Sequence, residues 1–202
     1  PMWGVGGLNS SLSTQTGRDL EAGVRHDLGK KASIGLTYFR HDIDNEIYLN
    51  ADPASYANEN YPETLHQGVE LETQIHFHQK ITGFANYTYT SAVFGRGPYD
   101  GNIIPGVPQH EACAGINFKP TTSLRLNIAI NYVGSMYLIS DQSNSYPKCD
   151  EYATVDIHLN YLWKGADLFW GMNNIFDAEY SSYGILSTFS GTRNFYPAPG
   201  RQ

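Results

Sequence analysis

The chain has 202 residues and a net charge of −7, with 13 basic against 20 acidic side chains. That balance argues against nucleic acid as a partner, because nucleic-acid binding needs clustered Lys and Arg. No apolar run approaches the ~18 residues of a membrane-spanning helix, which excludes a helical membrane protein. Aromatic residues make up 13% of the chain and charged residues only 16%, a mix that favours β-strands over a helical bundle.

In chain order, eight stretches alternate between apolar and polar residues, which is the period of a β-strand. They cover residues 18–27, 33–48, 69–77, 81–90, 111–118, 124–132, 152–161 and 167–173. The second stretch loses its alternation at residues 40–44, where charges fall on both parities. A strand with this pattern has left an apolar environment for water or carries a bulge.

The predicted connections alternate in length along the chain. Short ones lie near residues 28–31, 78–80, 119–122 and 164–166, and long ones near 49–64, 95–108, 141–150 and 181–193. Outer-membrane barrels have short turns on one side and long loops on the other. The sequence therefore predicts an all-β fold: part of an antiparallel up-and-down transmembrane β-barrel, with about eight strands, short periplasmic turns and long extracellular loops.

The polarity of the two faces supports a membrane barrel. One parity is apolar and aromatic, as a lipid-facing surface requires, and the other carries Glu, Asn, Thr, His and Arg, as a water-filled lumen requires. Two other classes stay open at this point. One is a small self-contained eight-stranded barrel that acts as a passive pore or structural protein, and the other is a soluble, carbohydrate-binding β-sandwich with aromatic loops.

Four segments resemble a known family. Residues 173–180, NNIFDAEY, are similar to a signature near the end of TonB-dependent outer-membrane receptors, and residues 196–201, YPAPGR, are similar to the segment that leads into their final strand. Residues 16–25 and 68–72 resemble other strands of the same receptors. The resemblance covers essentially the whole chain.

The resemblance implies a 22-stranded barrel filled by an N-terminal plug, which imports a scarce nutrient with energy relayed by TonB. On this basis we expect residues 1–202 to be a C-terminal portion of the barrel, without the plug, the earlier strands and the last strand. It also implies a place in the bacterial outer membrane, contact with outer-membrane lipid, and a partnership with TonB through the missing N-terminal part. The expected ligand is a small metal chelate, most simply a ferric siderophore, with cobalamin or haem as alternatives.

Candidate ligand-binding residues lie in the long loops, where an external ligand is first met. They are aromatic residues beside amides and carboxylates: Tyr56, Asn60, Tyr61, Tyr99, Asp100, Asn102, Asp141, Asn144 and Tyr146. His66 and His110 are the haem candidates, because haem receptors of the family use histidines in such outer regions. For both sets, loop filler and rim residues are the simpler alternatives.

Other polar residues have structural explanations. Glu70 and Glu72, with Arg25 and Arg125, fit solvated or paired charges of a lumen better than catalytic groups. His76 and His78 flank a short turn, where polar residues are expected without a metal. No nucleophile has a base beside it, so we expect no catalytic residue, no metal site and no cofactor. Cys113 and Cys149 lie two strands apart, and we expect no disulfide between them.

Overall fold

The computed structural model describes residues 9–50, 57–187 and 189–202. Within them, the strands are β1 (Thr16–Leu28), β2 (Ala32–Asn50), β3 (Ala57–His78), β4 (Ile81–Arg96), β5 (His110–Phe118), β6 (Leu124–Val133), β7 (Tyr152–Trp163), β8 (Ala166–Met172), β9 (Ser181–Ser187) and β10 (Thr192–Pro197). No helix in these three ranges is long and apolar enough to cross a membrane.

Strands β1 to β8 form one antiparallel sheet in sequence order, and β9 and β10 form a separate hairpin. The prediction of an all-β, antiparallel up-and-down fold is therefore confirmed. In the described part of the chain β1 does not pair with β8, so the sheet is open. The alternative of a small closed barrel of eight strands is wrong for this structure.

The β7–β8 turn illustrates how the short connections are made. Its two central residues, Lys164 and Gly165, both have positive φ, 48° and 86°. This is the backbone of the two-residue turn whose twist matches that of paired strands, and Gly adopts it without strain. The other short connections lie at residues 29–31, 79–80 and 119–123, as predicted.

The register of the sheet separates two faces. Leu36, Leu71, Tyr87, Ala112 and Tyr132 are successive partners across five strands and lie on what we call the apolar face. The adjacent row of partners points to the opposite side of the sheet, which we call the polar face. It contains Glu72, Asn86, Cys113, Asn131 and Thr154 on β3 to β7.

The apolar face is solvent-exposed in this structure and is rich in aromatic rings at both ends. Tyr87 and Tyr89 lie towards the long connections, and Tyr161, Trp163 and Trp170 lie towards the short ones, each more than a third exposed. Amphipathic aromatic rings in two bands are typical of a surface whose middle is in lipid and whose ends are in water.

Two of the predicted long loops are wrong in part. Residues 57–64 belong to β3, which runs for 22 residues and pairs with β2 up to Asn50. Residues 181–187 and 192–193 belong to β9 and β10 rather than to a final loop. Both segments have sequences typical of loops. Pairing with a neighbouring strand nevertheless satisfies their backbone N–H and C=O groups.

Buried side chains are concentrated at the long-connection end. One cluster contains Tyr61, Ala92, Phe94 and Ile104, and Tyr48, Tyr99 and Val107 pack against it. A second contains Met136, Leu138, Cys149 and Leu186, with Val133 against it. Cys113 and Cys149 are both free.

Candidate functional site

The first buried cluster joins the upper parts of β2, β3 and β4 to the connection 97–109. The ring of Tyr61, only 8% exposed, stacks on Tyr48 with centroids 3.7 Å apart and meets Phe94 edge-on at 4.5 Å. Phe94 in turn contacts the ring of Tyr99 at 5.7 Å. Four aromatic rings therefore fix the connection 97–109 against the strands. We call these residues, with the connections 97–109 and 134–151, the outer assembly.

Side-chain amides hold the two connections of the outer assembly together. The Asn144 Oδ1 atom accepts from the N–H of Ile103 at 2.7 Å, and its Nδ2 atom donates to the carbonyl of Ile103 at 2.8 Å. Asn102 Nδ2 donates to the carbonyl of Gln142 at 2.9 Å. Gln142 Nε2 donates to the hydroxyl of Tyr61 at 3.0 Å, which ties the second connection to the aromatic cluster. Residues about 40 and 81 positions apart in sequence are thus joined by direct hydrogen bonds.

Asp141 organises the local fold of the second connection. Its side chain is 1% exposed, and its carboxylate accepts from the Ser143 hydroxyl and from the N–H groups of Ser145 and Tyr146 at 3.0–3.1 Å. A buried carboxylate is tolerated when donors surround it, as they do here. Its oxygens are occupied by the loop itself, so Asp141 shapes the connection.

A polar cluster lies beside the aromatic rings. Thr64 donates to the Glu46 carboxylate, and a ring nitrogen of His66 lies 3.4 Å from the same oxygen. Burial acts to raise the pKa of Glu46, but the hydrogen bonds from His66 and Thr64 outweigh it and hold that pKa below its ordinary value of 4.5. The carboxylate is therefore charged at neutral pH.

The two stacked tyrosines stay neutral across the physiological range. Burial, more than any other influence, raises the pKa of Tyr61 to about 12. Burial followed by the hydrogen bond to Glu59 raises the pKa of Tyr48 as well. Both hydroxyls remain protonated, so they act as hydrogen-bond donors and acceptors and not as phenolate ligands.

The structure brings together many of the predicted ligand residues, but most of their polar groups contact the protein. Tyr61, Tyr99, Asn102, Asp141 and Asn144 all belong to the outer assembly. Asn60 lies in β3 and bonds the backbone of Ser13 and Asn45. Asp100 and Tyr146 are exposed, the latter at 38%. Tyr56 lies outside the described residues.

The two haem candidates lie on opposite faces of the sheet. His66 is on the polar-face parity and contacts Glu46, and His110 is on the apolar-face parity, where its Nδ1 atom lies 2.8 Å from the Tyr87 hydroxyl. The structure does not bring them together. His76 and His78 contact Thr82 and the backbone of Lys80, respectively. Among residues 9–50, 57–187 and 189–202, no group of three or more His, Cys, Asp or Glu side chains could hold a metal ion.

The residues missed by the sequence analysis include Phe94 and Gln142 of the outer assembly and Glu46 of the polar cluster beside it. Glu46 follows the break in alternation at residues 40–44, and that break could have indicated a polar cluster. Phe94 has the polar-face parity of β4, where alternation gives no reason to expect a buried aromatic ring. For Gln142 the sequence contains no signal, since its side chain acts by a hydrogen bond to Tyr61, which is 81 positions away in the chain.

Residues 1–175 match the family model described as "TonB dependent receptor-like, beta-barrel". The chain belongs to this family. Members of the TonB-dependent receptor family are outer-membrane β-barrels, and the open eight-stranded sheet with its apolar and polar faces has the architecture of part of such a barrel wall.

Curated relatives from two organisms are receptors or utilisation proteins. The catecholate siderophore receptor Fiu of Escherichia coli K12 is 26% identical over 159 residues, which cover 76% of this chain and 20% of Fiu. The heme/hemopexin utilization protein C of Haemophilus influenzae is 25% identical over 198 residues, covering 87% of this chain and 27% of that protein. This TonB-dependent receptor chain therefore spans only 20% to 27% of the length of these relatives.

Solved structures of the family share the fold. A mutant of the ferric enterobactin receptor PfeA from Pseudomonas aeruginosa superposes with a TM-score of 0.75 at 20% identity, covering 96% of this chain and 31% of the receptor. The proteins that this chain resembles are receptors rather than enzymes.

Proposed function

We propose that residues 1–202 are a C-terminal portion of the barrel wall of a TonB-dependent receptor in the bacterial outer membrane. The observation that carries this proposal is the separation of one eight-stranded sheet into an exposed apolar face with aromatic ends and a polar face. An exposed apolar surface of this size is stable when lipid covers it. The polar face then lines the lumen, and the long connections stand outside the cell.

The proposed cargo is a ferric siderophore, taken up with energy relayed by TonB through the N-terminal part of the receptor. The names of Fiu, a catecholate siderophore receptor, and PfeA, a ferric enterobactin receptor, support this choice. The heme/hemopexin utilization protein supports haem as the second candidate. In either case the activity is binding and transport, and we propose no enzymatic role.

Within the outer assembly, we propose a division of roles among the predicted ligand residues. Asp100 and Tyr146 are exposed and are free to meet a ligand, whereas Tyr61, Asp141 and Asn144 hold the connections in position. Aromatic and polar side chains presented on a preorganised scaffold bind with less loss of conformational entropy than those on a mobile loop.

The experiment uses the full-length receptor in its own membrane. Under iron limitation, cells carrying it should grow on a ferric catecholate siderophore, and deletion of TonB should abolish that growth. An Asp100→Ala, Tyr146→Ala double variant should bind the ferric siderophore about tenfold more weakly, because two ligand contacts are lost. Growth on haem and not on any ferric siderophore would replace the primary cargo with the alternative.

A further inference from the structure

A second polar region lies at the opposite end of the wall, on the polar face near the short connections. There, Lys119 and Arg125 border a cavity of about 370 Å³ together with His76, Asn127 and Asn160. Lys119 follows β5. Arg125 lies on the neighbouring strand β6 and is paired with Asn160 of β7. The cavity is far from the outer assembly in the sheet register, because His76 and Asn127 lie within a few residues of the short turns.

The lining of this cavity carries two basic side chains for which the described residues provide no ion pair. It contains one lysine, one arginine and no carboxylate. Within residues 9–50, 57–187 and 189–202, neither Lys119 nor Arg125 forms an ion pair, whereas Arg40 pairs with Asp42, and Arg96 pairs with Glu63 and Asp44.

Asp167 borders an adjoining cavity with Arg125 but forms no ion pair with it. Of the other polar-face carboxylates, Glu70 and Glu111 lie nearer the long connections, and Glu72 borders a separate cavity with Arg25.

Neutral donors around the cations are held in place by hydrogen bonds. Asn127 Nδ2 donates to Asn117 Oδ1 at 3.0 Å, which fixes the orientation of the Asn127 amide. His76 Nδ1 lies 3.0 Å from the Thr82 hydroxyl. When Thr82 donates to that nitrogen, the second ring nitrogen of His76 carries the proton and is a donor. The cavity therefore combines a guanidinium, an ammonium and an imidazole, which are all groups that hydrogen-bond to anionic oxygens.

The neighbouring surface is apolar in an otherwise polar face. Phe169 of β8 is the partner of Asn160, and its side chain is 84% exposed on the polar-face parity. A large aromatic side chain open to solvent at this level favours contact with a further molecule or segment.

We propose that this cavity is a binding site for an oxyanion, a carboxylate or phosphate group held between Lys119 and Arg125. The group can belong to an acidic side chain elsewhere in the receptor or to a free anion that reaches the lumen. Arg125 offers a planar pair of donors suited to two oxygens, and Lys119 supplies a second charge from the connection that follows β5. This site goes beyond the proposed uptake function and does not depend on the identity of the cargo.

The test measures how fast an amine-acetylating reagent modifies Lys119 in the purified full-length receptor, with mass spectrometry as the readout. Lys30 is the internal reference, since it lies in the exposed β1–β2 turn at the same end and outside the cavity. Labelling is compared without added anion, with inorganic phosphate, and in Arg125→Gln. Arg25→Gln, which removes another polar-face arginine outside this cavity, is the matched control variant.

A bound oxyanion should slow labelling of Lys119 about tenfold relative to Lys30, because the ammonium is engaged in a charge-assisted hydrogen bond. Arg125→Gln should remove this protection and Arg25→Gln should preserve it. Protection without added anion identifies an acidic group of the receptor, and protection only with phosphate identifies a free anion. Equal labelling of Lys119 and Lys30 in all conditions, or protection that is the same in Arg125→Gln, would overturn the proposal, since the latter indicates steric cover alone.

Discussion

Tyr48 and Tyr61 stack face to face, with ring centroids 3.7 Å apart and planes only 3° from parallel. The Tyr48 hydroxyl donates to Glu59 at 2.9 Å, and the Tyr61 hydroxyl accepts from Gln142. The pair thus connects the β2–β3 hairpin to a connection more than 80 residues away.

Replacing Tyr61 by Ala should free the connections of the outer assembly from the strands. Removal of a buried aromatic ring costs about 3 kcal/mol or more, and Tyr61→Phe, which removes only the bond with Gln142, should cost about 1 kcal/mol. Hydrogen exchange of residues 97–109 and 140–146 in the full-length receptor measures both. Tyr146→Ala is the control, because that ring is 38% exposed. Equal protection in Tyr61→Ala and wild type would show that the cluster does not hold the connections.

Asn144→Gly should separate the two long connections while leaving the backbone of residue 144 unstrained. Asn144 has a φ of 54°, which Gly also adopts, so the variant isolates the loss of the side-chain amide. We expect the Ile103 amide to exchange at least about tenfold faster, because it loses the acceptor that lies 2.7 Å away. Ser143→Gly, at the neighbouring position, is the comparison, because it removes one donor to Asp141 and keeps both bonds between Asn144 and Ile103. The idea fails if Ile103 exchanges at the wild-type rate.

The Glu46 cluster should make the outer assembly sensitive to acid. The pKa of Glu46 is lowered in the folded state, so its contribution to stability is present above 4.5 and is lost as pH falls through the folded pKa. Protection of the backbone around Thr64 and His66 should therefore decrease below about pH 4.5. In Glu46→Gln this pH dependence should be absent, and in Glu70→Gln it should remain. An identical acid profile in wild type and Glu46→Gln would refute the assignment.

Gly68→Ala should impair assembly of the wall, whereas Gly35→Ala should be tolerated. A Cβ atom at Gly68 would lie 2.0 Å from the carbonyl oxygen of Tyr89 and 2.7 Å from the Phe39 ring, so the β3–β4 ladder would have to move. At Gly35 the nearest atom is 3.9 Å away. We expect a loss of about 1–3 kcal/mol for Gly68→Ala, seen as a reduced yield of heat-modifiable barrel. Equal yields of the two variants would contradict the packing described.

Alternation of side chains was enough to predict the eight strands of the main sheet, because each has one exposed apolar and one polar face. It failed at residues 57–64, where Asn58, Asn60 and Pro62 resemble a loop. That segment is held by its ladder with β2 and by contacts of Tyr61, which sequence periodicity does not contain. The hairpin of β9 and β10 was missed for a similar reason, since its second strand has only six residues.

For the candidate ligand residues, the sequence could not separate ligand binding from a structural role within the loop. An Asn or Asp in a long loop can bind a ligand or can cap the loop's own backbone, and both uses select the same residue types. Asp141 and Asn144 turned out to bond Ser145, Tyr146 and Ile103. Only the three-dimensional contacts distinguish these residues from Asp100, whose side chain remains exposed.

The length of β3 has a consequence for how proteases act on the receptor at the cell surface. Its 22 residues extend about 70 Å at the usual rise of a strand, and the apolar face occupies only the part near residues 69–77. In the proposed orientation, the remainder projects from the membrane into the medium as paired strand. Proteases bind substrates as unpaired extended chain, so residues 57–66 should resist digestion in intact cells despite a polar, proline-containing sequence that resembles an easily cleaved linker.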